Sequence, residues 1–442
     1  MLRYKYVLAV LATFIMIFSM VGCSSTGNGT TNTTNTTDTT AAPVAQENTT
    51  ADPIAAAIKV QPGKKGVIDF WTVFTGGDGD KAQAIVDKYN ATNPDYTVNM
   101  RQIPENDLYL KMPLAIRSGQ TVPDLAINHI DRVPYFSELG LYDDFTPYLA
   151  ASPIKAENYI QSAWTPTEIN GARYGIPLDL HSFGTYINMD LLAKYAPNAL
   201  DKGFLTWDDI KAAGPACLKD GIVPVGIGWH RVDWLASYAQ LNGVLSTDGK
   251  NPDFNNADGV AVLQLWQDLN TKGFVQKSGD DGWKMFIGGK MLCMPEGDWM
   301  ISSATESSIN WKFTEFPAWD AQHRGCWASS HQFVLPKNPA RDAEKTAACL
   351  QFIDWYGQHS LDWAAAGHVP AYLSVYNSPE FKAMPQSFMT NDYFKIYSYK
   401  YFGYVTTDLD KVLKDALYGN LTPQGALDQC VQNVKDDIAA GN

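Results

Sequence analysis

Acidic side chains are the first groups in this sequence that could perform chemistry. Two close pairs, Asp208-Asp209 and Glu296/Asp298, could supply the two carboxylates of a glycosidase, although sequence does not show their separation across a cleft. The motifs GxSxG, HExxH and GxxxxGK[ST] do not occur, nor does a CxxC or Cys/His spacing typical of a metal site. We therefore expect no catalytic residue, metal or cofactor, and we interpret the acidic pairs as binding or capping groups.

A glycine-rich turn is the second candidate. Gly77-x-Gly79-x-x-Ala82 follows a predicted strand and opens a predicted helix, and Glu105 lies near the end of the next strand. This is the context of a dinucleotide-binding fingerprint. An exported protein, which the N-terminal residues indicate below, has no dependable supply of free NAD. We favour a strand–helix turn in which glycines let the backbone approach a ligand.

The elements that would position such groups alternate in type. VIDFW at 67–71 reads as a strand, and the apolar stripe at i, i+3, i+4 and i+7 that follows, formed by Ala82, Ile85, Val86 and Tyr89, reads as a helix. Tyr96, Val98 and Met100 alternate as the next strand, and a helix over 107–117 leads to the strand at 124–129. This rhythm predicts a parallel sheet with helices on both faces, whose binding crevice lies beyond the carboxyl ends of the strands. The residues at those ends are Trp71, Glu105, Asn128 and His129.

A second set of alternating elements begins near Ile176. It includes a helix that Thr206 should cap, a helix over 340–357, and a final helix that Thr422 should cap with Pro423 at its first position. Residues 67–442 exceed the length of one ordinary core, so two α/β domains are expected.

Composition narrows the function. Hydrophobic residues make up 45% and charged residues 18% of the chain, which is typical of a globular protein. The net charge of −13 without a Lys/Arg-rich run argues against a nucleic-acid partner and against charge-driven binding to lipid. The 13 Trp and 22 Tyr residues suit a site for flat, amphipathic ligands as well as a large core.

Five cysteines follow Cys23, and an odd number cannot all pair within the chain. The apolar helix faces predicted around several of them favour small buried hydrophobes. A disulfide between Cys293 and Cys326 is the alternative.

The N-terminus combines Arg3 and Lys5 with an apolar run that ends at Cys23. This resembles the lipobox of bacterial lipoproteins, with residues 1–22 as signal peptide and Cys23 as the lipidated residue. A plain signal peptide and a single-span anchor are the alternatives; the run is shorter than the roughly 20 residues that a spanning helix needs. Residues 23–66, rich in Thr and Asn, are expected to form a flexible tether.

Six motifs in the rest of the chain together resemble the carbohydrate-binding group of extracellular solute-binding proteins from ATP-binding-cassette (ABC) importers. In order, they are FWTVFTGGDG, PDLAINH, YGIPLDLHSFGTYINMDLL, TWDDI, GKMLCMPEGDW and HQFVLPKNP. The resemblance implies a periplasmic-binding-protein-like fold of two doubly wound α/β lobes joined by hinge segments. The implied lobes are 67–179 with 328–357, and 180–327 with 358–442.

The resemblance also implies a sugar site between the lobes, with aromatic plates for the sugar faces and polar groups for the hydroxyls. The implied site residues are Trp71, Asn128, His129, Asp179, His181, Trp229, Asp298, Trp299, His331 and His368. Many relatives carry a carboxylate close after the first-strand aromatic residue. Here Thr75 and two glycines precede Asp78, so Asp78 is not carried over.

These observations predict a monomeric, lipid-anchored receptor on the extracytoplasmic face of the cell membrane. It would capture a sugar or oligosaccharide and deliver it to the permease of an ABC importer, with no chemistry on the ligand. The main alternative is a secreted glycosidase or other polysaccharide-active enzyme. A receptor for peptide, polyamine or metal is a further alternative, in which the many aromatics disfavour metal.

Overall fold

The computed structural model describes residues 65–75, 77–390 and 392–440. Cys23, the signal peptide and nearly all of the tether lie outside the described residues. Within the described ranges, no helix combines the length and the apolar character that crossing a bilayer requires.

The strands are short except for β8. They are β1 (Gly66–Thr72), β2 (Tyr96–Gln102), β3 (Leu125–His129), β4 (Tyr142–Asp143), β5 (Glu168–Ile169), β6 (Ala172–Arg173), β7 (Ile176–Pro177), β8 (Asp179–Asn188), β9 (Val223–Val225), β10 (Met291–Gly297), β11 (Trp311–Thr314), β12 (Cys326–Ser329), β13 (His331–Pro336), β14 (Val369–Pro370) and β15 (Phe394–Lys395).

Helices separate most of these strands. The α-helices span Gly77–Ala91, Glu105–Ser118, Val133–Glu138, Thr146–Leu149, Gln161–Trp164, Met189–Tyr195, Trp207–Lys219, His230–Gln240, Ala257–Thr271, Gly282–Ile287, Ile301–Glu306, Ala343–Gln358, Leu361–Ala364, Leu373–Tyr376, Pro379–Lys382, Phe402–Leu417 and Pro423–Ala440. The caps predicted at Thr206 and Thr422 are confirmed, since Thr206 Oγ1 accepts from Asp209 N and Thr422 Oγ1 accepts from Gly425 N.

The first sheet has the order β2-β1-β3-β13-β4, and β7 pairs with β13. β1 runs parallel to β2 and β3, as the alternation of strands and helices predicted, because the helices Gly77–Ala91 and Glu105–Ser118 form the crossovers. β13 comes from far along the chain and is antiparallel to β3, β4 and β7.

The second sheet has the order β15-β12-β8-β10-β9, and β11 and β14 also pair with β8. All ten residues of β8 are buried, and β8 is antiparallel to β10, β11, β12 and β14. The parallel pairs are β10–β9 and β12–β15. This sheet is therefore mixed, since strand direction follows from long-range pairing that local periodicity does not encode.

Each sheet has its own hydrophobic core. Phe70, Ile127 and Phe352 belong to the core of the first sheet, and Phe183, Trp234 and Trp266 belong to that of the second. The chain passes from the first sheet to the second between β7 and β8, and returns at Ser330 between β12 and β13. The exact lobe boundaries remain a prediction.

The five cysteines within the described residues are all buried and free. Cys293 and Cys326 form no disulfide. Burial raises the pKa of the Cys326 and Cys349 thiols to about 12, so these thiols stay protonated at neutral pH.

Candidate functional site

A cavity of about 410 Å³ lies between the two sheets and receives side chains from both. Val73 and Thr75 follow β1, Glu105 follows β2, and His129 ends β3. These positions are the carboxyl ends of the three parallel strands, where such sheets place their ligands. His181 of β8 and Trp327 of β12 reach the same cavity from the second sheet.

Aromatic rings form much of the wall from the second sheet. Trp229 lies just before the helix His230–Gln240 and is 44% exposed. Trp299 lies in the turn Asp298–Met300 after β10, with its ring 5.7 Å from Trp229 in an edge-on contact. A Cβ at Gly297 would lie 2.1 Å from the Trp299 indole, so only glycine lets this ring fold back over the strand end.

Four imidazoles form the adjacent part of the wall, and all four line the cavity. The His181 ring lies 4.3 Å from that of His331 and 5.8 Å from that of His368, and His129 lies 4.8 Å from His331. Burial lowers the pKa of His129 and His331, and lowers that of His368 to about 4. These three rings are therefore neutral at physiological pH.

Asp179 lies behind these rings and is fully buried. Its carboxylate contacts Nδ1 of His331 at 2.8 Å and Nδ1 of His181 at 3.2 Å, and it accepts from Trp363 Nε1 at 2.6 Å. Burial would raise the pKa of Asp179, but His331 and His181 outweigh burial and hold it well below its usual range. Asp179 is thus an ionised group that orients two histidines.

Asp298 shows the opposite behaviour. Its Oδ2 accepts from Ser182 N at 3.2 Å, whereas its Oδ1 is buried without a hydrogen-bond partner. Burial, together with the nearby Asp179 charge, raises the pKa of Asp298 well above its usual range. Asp298, the first residue of the turn that carries Trp299, therefore keeps its proton to a higher pH than an ordinary aspartate does.

Charged groups of both signs complete the lining. Arg231 pairs with Asp410 at 2.7 Å, and Arg132 lies 3.6 Å from Asp131. Burial would raise the pKa of Glu105, but His129, Arg231 and Arg132 outweigh it, so the net shift is downward. The cavity thus offers donors and acceptors without a dominant charge.

The structure brings six of the ten predicted site residues to the cavity: His129, His181, Trp229, Trp299, His331 and His368. Asp179 and Asp298 lie behind this wall and do not line it. Asn128 points to the opposite face of β3 from His129, as strand alternation requires, and donates to the Tyr142 hydroxyl. Trp71 does not line the cavity, because β1 continues to Thr72 and the lining begins at Val73. Its ring instead lies against the guanidinium group of Arg101.

Several lining residues were missed by sequence reasoning. Trp327, Arg132, Arg231 and Phe402 line the cavity, as does Asp78, which was not carried over. Arg231 had a signal, since it lies two positions after Trp229 at the start of a helix. Phe402 had no such signal in the sequence, because it reaches the cleft from the start of a helix near the C-terminus.

None of the four carboxylates considered for glycosidase chemistry lines the cavity, although Asp298 lies directly behind its wall. Asp209 caps its own helix by accepting from Thr206 N and Thr206 Oγ1. Glu296 is buried, and its pKa is raised to about 8 by burial. Neither residue lines the cavity between the sheets.

Two α/β halves with a polar and aromatic cavity between them define a protein that binds a small solute. The sequence profile described as bacterial extracellular solute-binding protein matches residues 84–390. The chain belongs to this family.

Among curated proteins, the chain is 25% identical over 345 residues to an arabinooligosaccharide-binding protein of Bacillus subtilis, covering 72% of this chain and 77% of that one. It is 23% identical over 211 residues to a protein of the same name from Halalkalibacterium halodurans, covering 45% of each.

Solved structures share the fold. An ABC substrate-binding protein from Listeria monocytogenes in complex with cycloalternan superposes with a TM-score of 0.73 at 18% identity, covering 85% of this chain and 99% of that one. The sugar-binding protein MalE from Xanthomonas citri gives 0.72 at 17%, covering 85% and 98%. The predicted fold class, α/β and periplasmic-binding-protein-like, is confirmed.

Proposed function

We propose that this protein is the extracytoplasmic receptor of an ABC importer and that it captures a sugar or oligosaccharide without changing it. The observation that carries the proposal is the cavity between the sheets, which is lined by Trp229 and Trp299 and by polar groups from the first sheet. Membership of the solute-binding family supports capture and delivery of a small molecule.

The chemistry of the lining favours a carbohydrate. Sugar rings have apolar faces that stack on indoles and many hydroxyls that both donate and accept hydrogen bonds. The cavity supplies indoles at 229, 299 and 327, neutral imidazoles, and carboxylates such as Glu105. Its volume of about 410 Å³ falls within the roughly 300–1,000 Å³ of small-molecule sites. The names of the two relatives called arabinooligosaccharide-binding proteins point the same way.

Binding would close two lobes around the ligand. Residues 67–179 with 328–357 would form one lobe, and 180–327 with 358–442 the other, since the cavity takes side chains from both sheets. The closed state would be the form that the permease recognises. Solution scattering should show a smaller radius of gyration with saturating ligand, and an unchanged radius would argue against closure.

A lipid on Cys23 would hold the receptor at the outer face of the membrane as a tethered monomer. Residues 1–22 would be removed, and 23–66 would form the tether that keeps the receptor concentrated near its permease. Cys23→Ala should abolish metabolic labelling with a radioactive fatty acid. Labelling that persists in the variant contradicts the anchor.

A ligand screen tests the central proposal. Arabino- and malto-oligosaccharides, monosaccharides, peptides and polyamines are added to the purified chain, and melting temperature is recorded, because a ligand stabilises the folded state that binds it. We expect a saturable rise with one class of sugar, checked by calorimetric titration. A response only to peptides or polyamines overturns the sugar proposal. Shortened sugar in excess of the protein overturns the receptor proposal in favour of an enzyme.

A further inference from the structure

We propose that the imidazoles of His181, His331 and His368 form a site for one divalent transition-metal ion of the zinc class, in the wall of the cavity. Asp179 is the carboxylate behind two of these ligands. The proposal goes beyond sugar capture and does not depend on it.

The first argument is proximity. Asp179, His181, His331 and His368 each offer one potential ligand atom, either a carboxylate oxygen or one of the two ring nitrogens, and these atoms all lie within 4.8 Å of one another. They come from β8, from the first residue of β13, and from just before β14. The cluster lies where the chain passes between the two sheets, so an ion here would link them. Local spacing in the sequence does not reveal such a site.

The second argument is the orientation of two rings. Nδ1 of His331 and Nδ1 of His181 both face Asp179, at 2.8 and 3.2 Å. A carboxylate placed against Nδ1 favours the tautomer in which Nδ1–H donates to it, and in that tautomer Nε2 is the nitrogen left to bind a metal ion. Both rings line the cavity. A carboxylate that accepts from one ring nitrogen while the other binds a metal is the usual outer-shell arrangement of metal-binding histidines.

The third argument is His368, which is 1% exposed. Neither of its ring nitrogens makes a hydrogen bond among the described residues; the nearest acidic atom is Asp298 Oδ1, which lies 3.7 Å from Nδ1 and beyond hydrogen-bond distance. Its ring lies flat against Trp363, with centroids 4.5 Å apart and planes 10° apart, which fixes its orientation. A buried polar group without a partner is unfavourable. A metal ion coordinated by one of these nitrogens would remove that cost.

The ligand set selects the class of ion. Imidazole nitrogens suit zinc, copper and nickel, whereas magnesium and calcium prefer oxygen. Three protein ligands leave the fourth position of a tetrahedral zinc ion open. Here that position would face the cavity, where a hydroxyl or carboxylate of a bound solute could complete the coordination.

The test uses the full chain without an added histidine tag, after treatment with a chelator and dialysis. Zinc and magnesium chloride are titrated by calorimetry in parallel. We expect one zinc ion per chain and no measurable magnesium binding. Cobalt should give the intense visible absorption of a four-coordinate ion with nitrogen ligands. Zinc binding no stronger than magnesium binding overturns the proposal.

Substitutions locate the site. His368→Gln should weaken zinc binding by at least the roughly 10–100-fold that loss of an outer-shell partner costs. His181→Gln should weaken zinc binding to the same extent, and it replaces His368→Gln as the test if that variant has a much lower melting temperature. His323→Gln is the control, since His323 is 40% exposed and pairs with Asp320 away from the cavity. Equal zinc affinity in wild type and both folded cluster variants overturns the assignment. Sugar binding is measured separately on the zinc-free protein. Failure of the zinc proposal can therefore be distinguished from failure of the sugar proposal.

Discussion

Trp229 gives the sharpest test of the cavity as a sugar site. It is 44% exposed, although it is a large aromatic residue between two core elements. A tryptophan side chain offers up to about 250 Å² for burial, so about 110 Å² remains available to a ligand. At about 25 cal/mol per Å², complete coverage contributes about 2.7 kcal/mol and coverage of one face about half of that.

We therefore expect Trp229→Ala to weaken sugar binding by about tenfold to a hundredfold, at roughly 1.4 kcal/mol per tenfold. Affinity is measured by calorimetric titration with the sugar that emerges from the ligand screen. The variant also loses ring contacts with Trp299 and Phe183, so its melting temperature should fall. The titration is therefore run well below the melting transition.

Trp355→Ala is the matched control. Trp355 is also partly exposed and stacks on His359, at 3.9 Å between ring centroids, but it does not line the cavity. This variant should lose stability and keep its affinity. Native affinity in folded Trp229→Ala refutes the reasoning, and so does an equal loss of affinity in both variants.

Two further predictions follow from the strand end beneath Trp299. Gly297→Ala places a Cβ 2.1 Å from the Trp299 indole, so we expect displacement of the ring, seen as altered tryptophan fluorescence, and weaker sugar binding; an unchanged spectrum and affinity contradict this. Burial raises the pKa of Glu296 to about 8 from 4.5, so the folded state keeps a proton that the unfolded chain releases. The free energy of unfolding should therefore fall as pH rises from 4.5 to 8, by at most about 5 kcal/mol at 1.36 kcal/mol per pH unit. Glu296→Gln should flatten this dependence in urea unfolding, and parallel pH curves for the two proteins would contradict the assignment.

The sequence determined the local elements well. The stripe of Ala82, Ile85, Val86 and Tyr89 predicted the buried face of the first helix, and the structure buries those four residues. N-cap signals located helix starts at Thr206 and at Thr422, where Pro423 at the first helical position added a second signal. These predictions succeeded because periodicity and capping depend on residues within a few positions of one another.

The sequence also pointed to the ends of the first strands as the ligand crevice, but it did not decide which side chains enter it. The sequence predicted both Asn128 and His129 as site residues. Because side chains alternate along β3, Asn128 points towards Tyr142 and His129 lines the cavity. Trp71 was placed two positions too early in the chain, because the pairing of β1 with β2 continues to Thr72 and the cavity lining begins at Val73.

Tertiary structure alone decided the histidine cluster. His129, His181, His331 and His368 are spread over 240 positions of the chain, and their approach depends on β13 crossing back to β3 and on β14 pairing with β8. Asp179 gains its low pKa only when those strands assemble around it. Local chemistry determined the class of fold, whereas long-range pairing of strands determined which polar groups meet in the cleft.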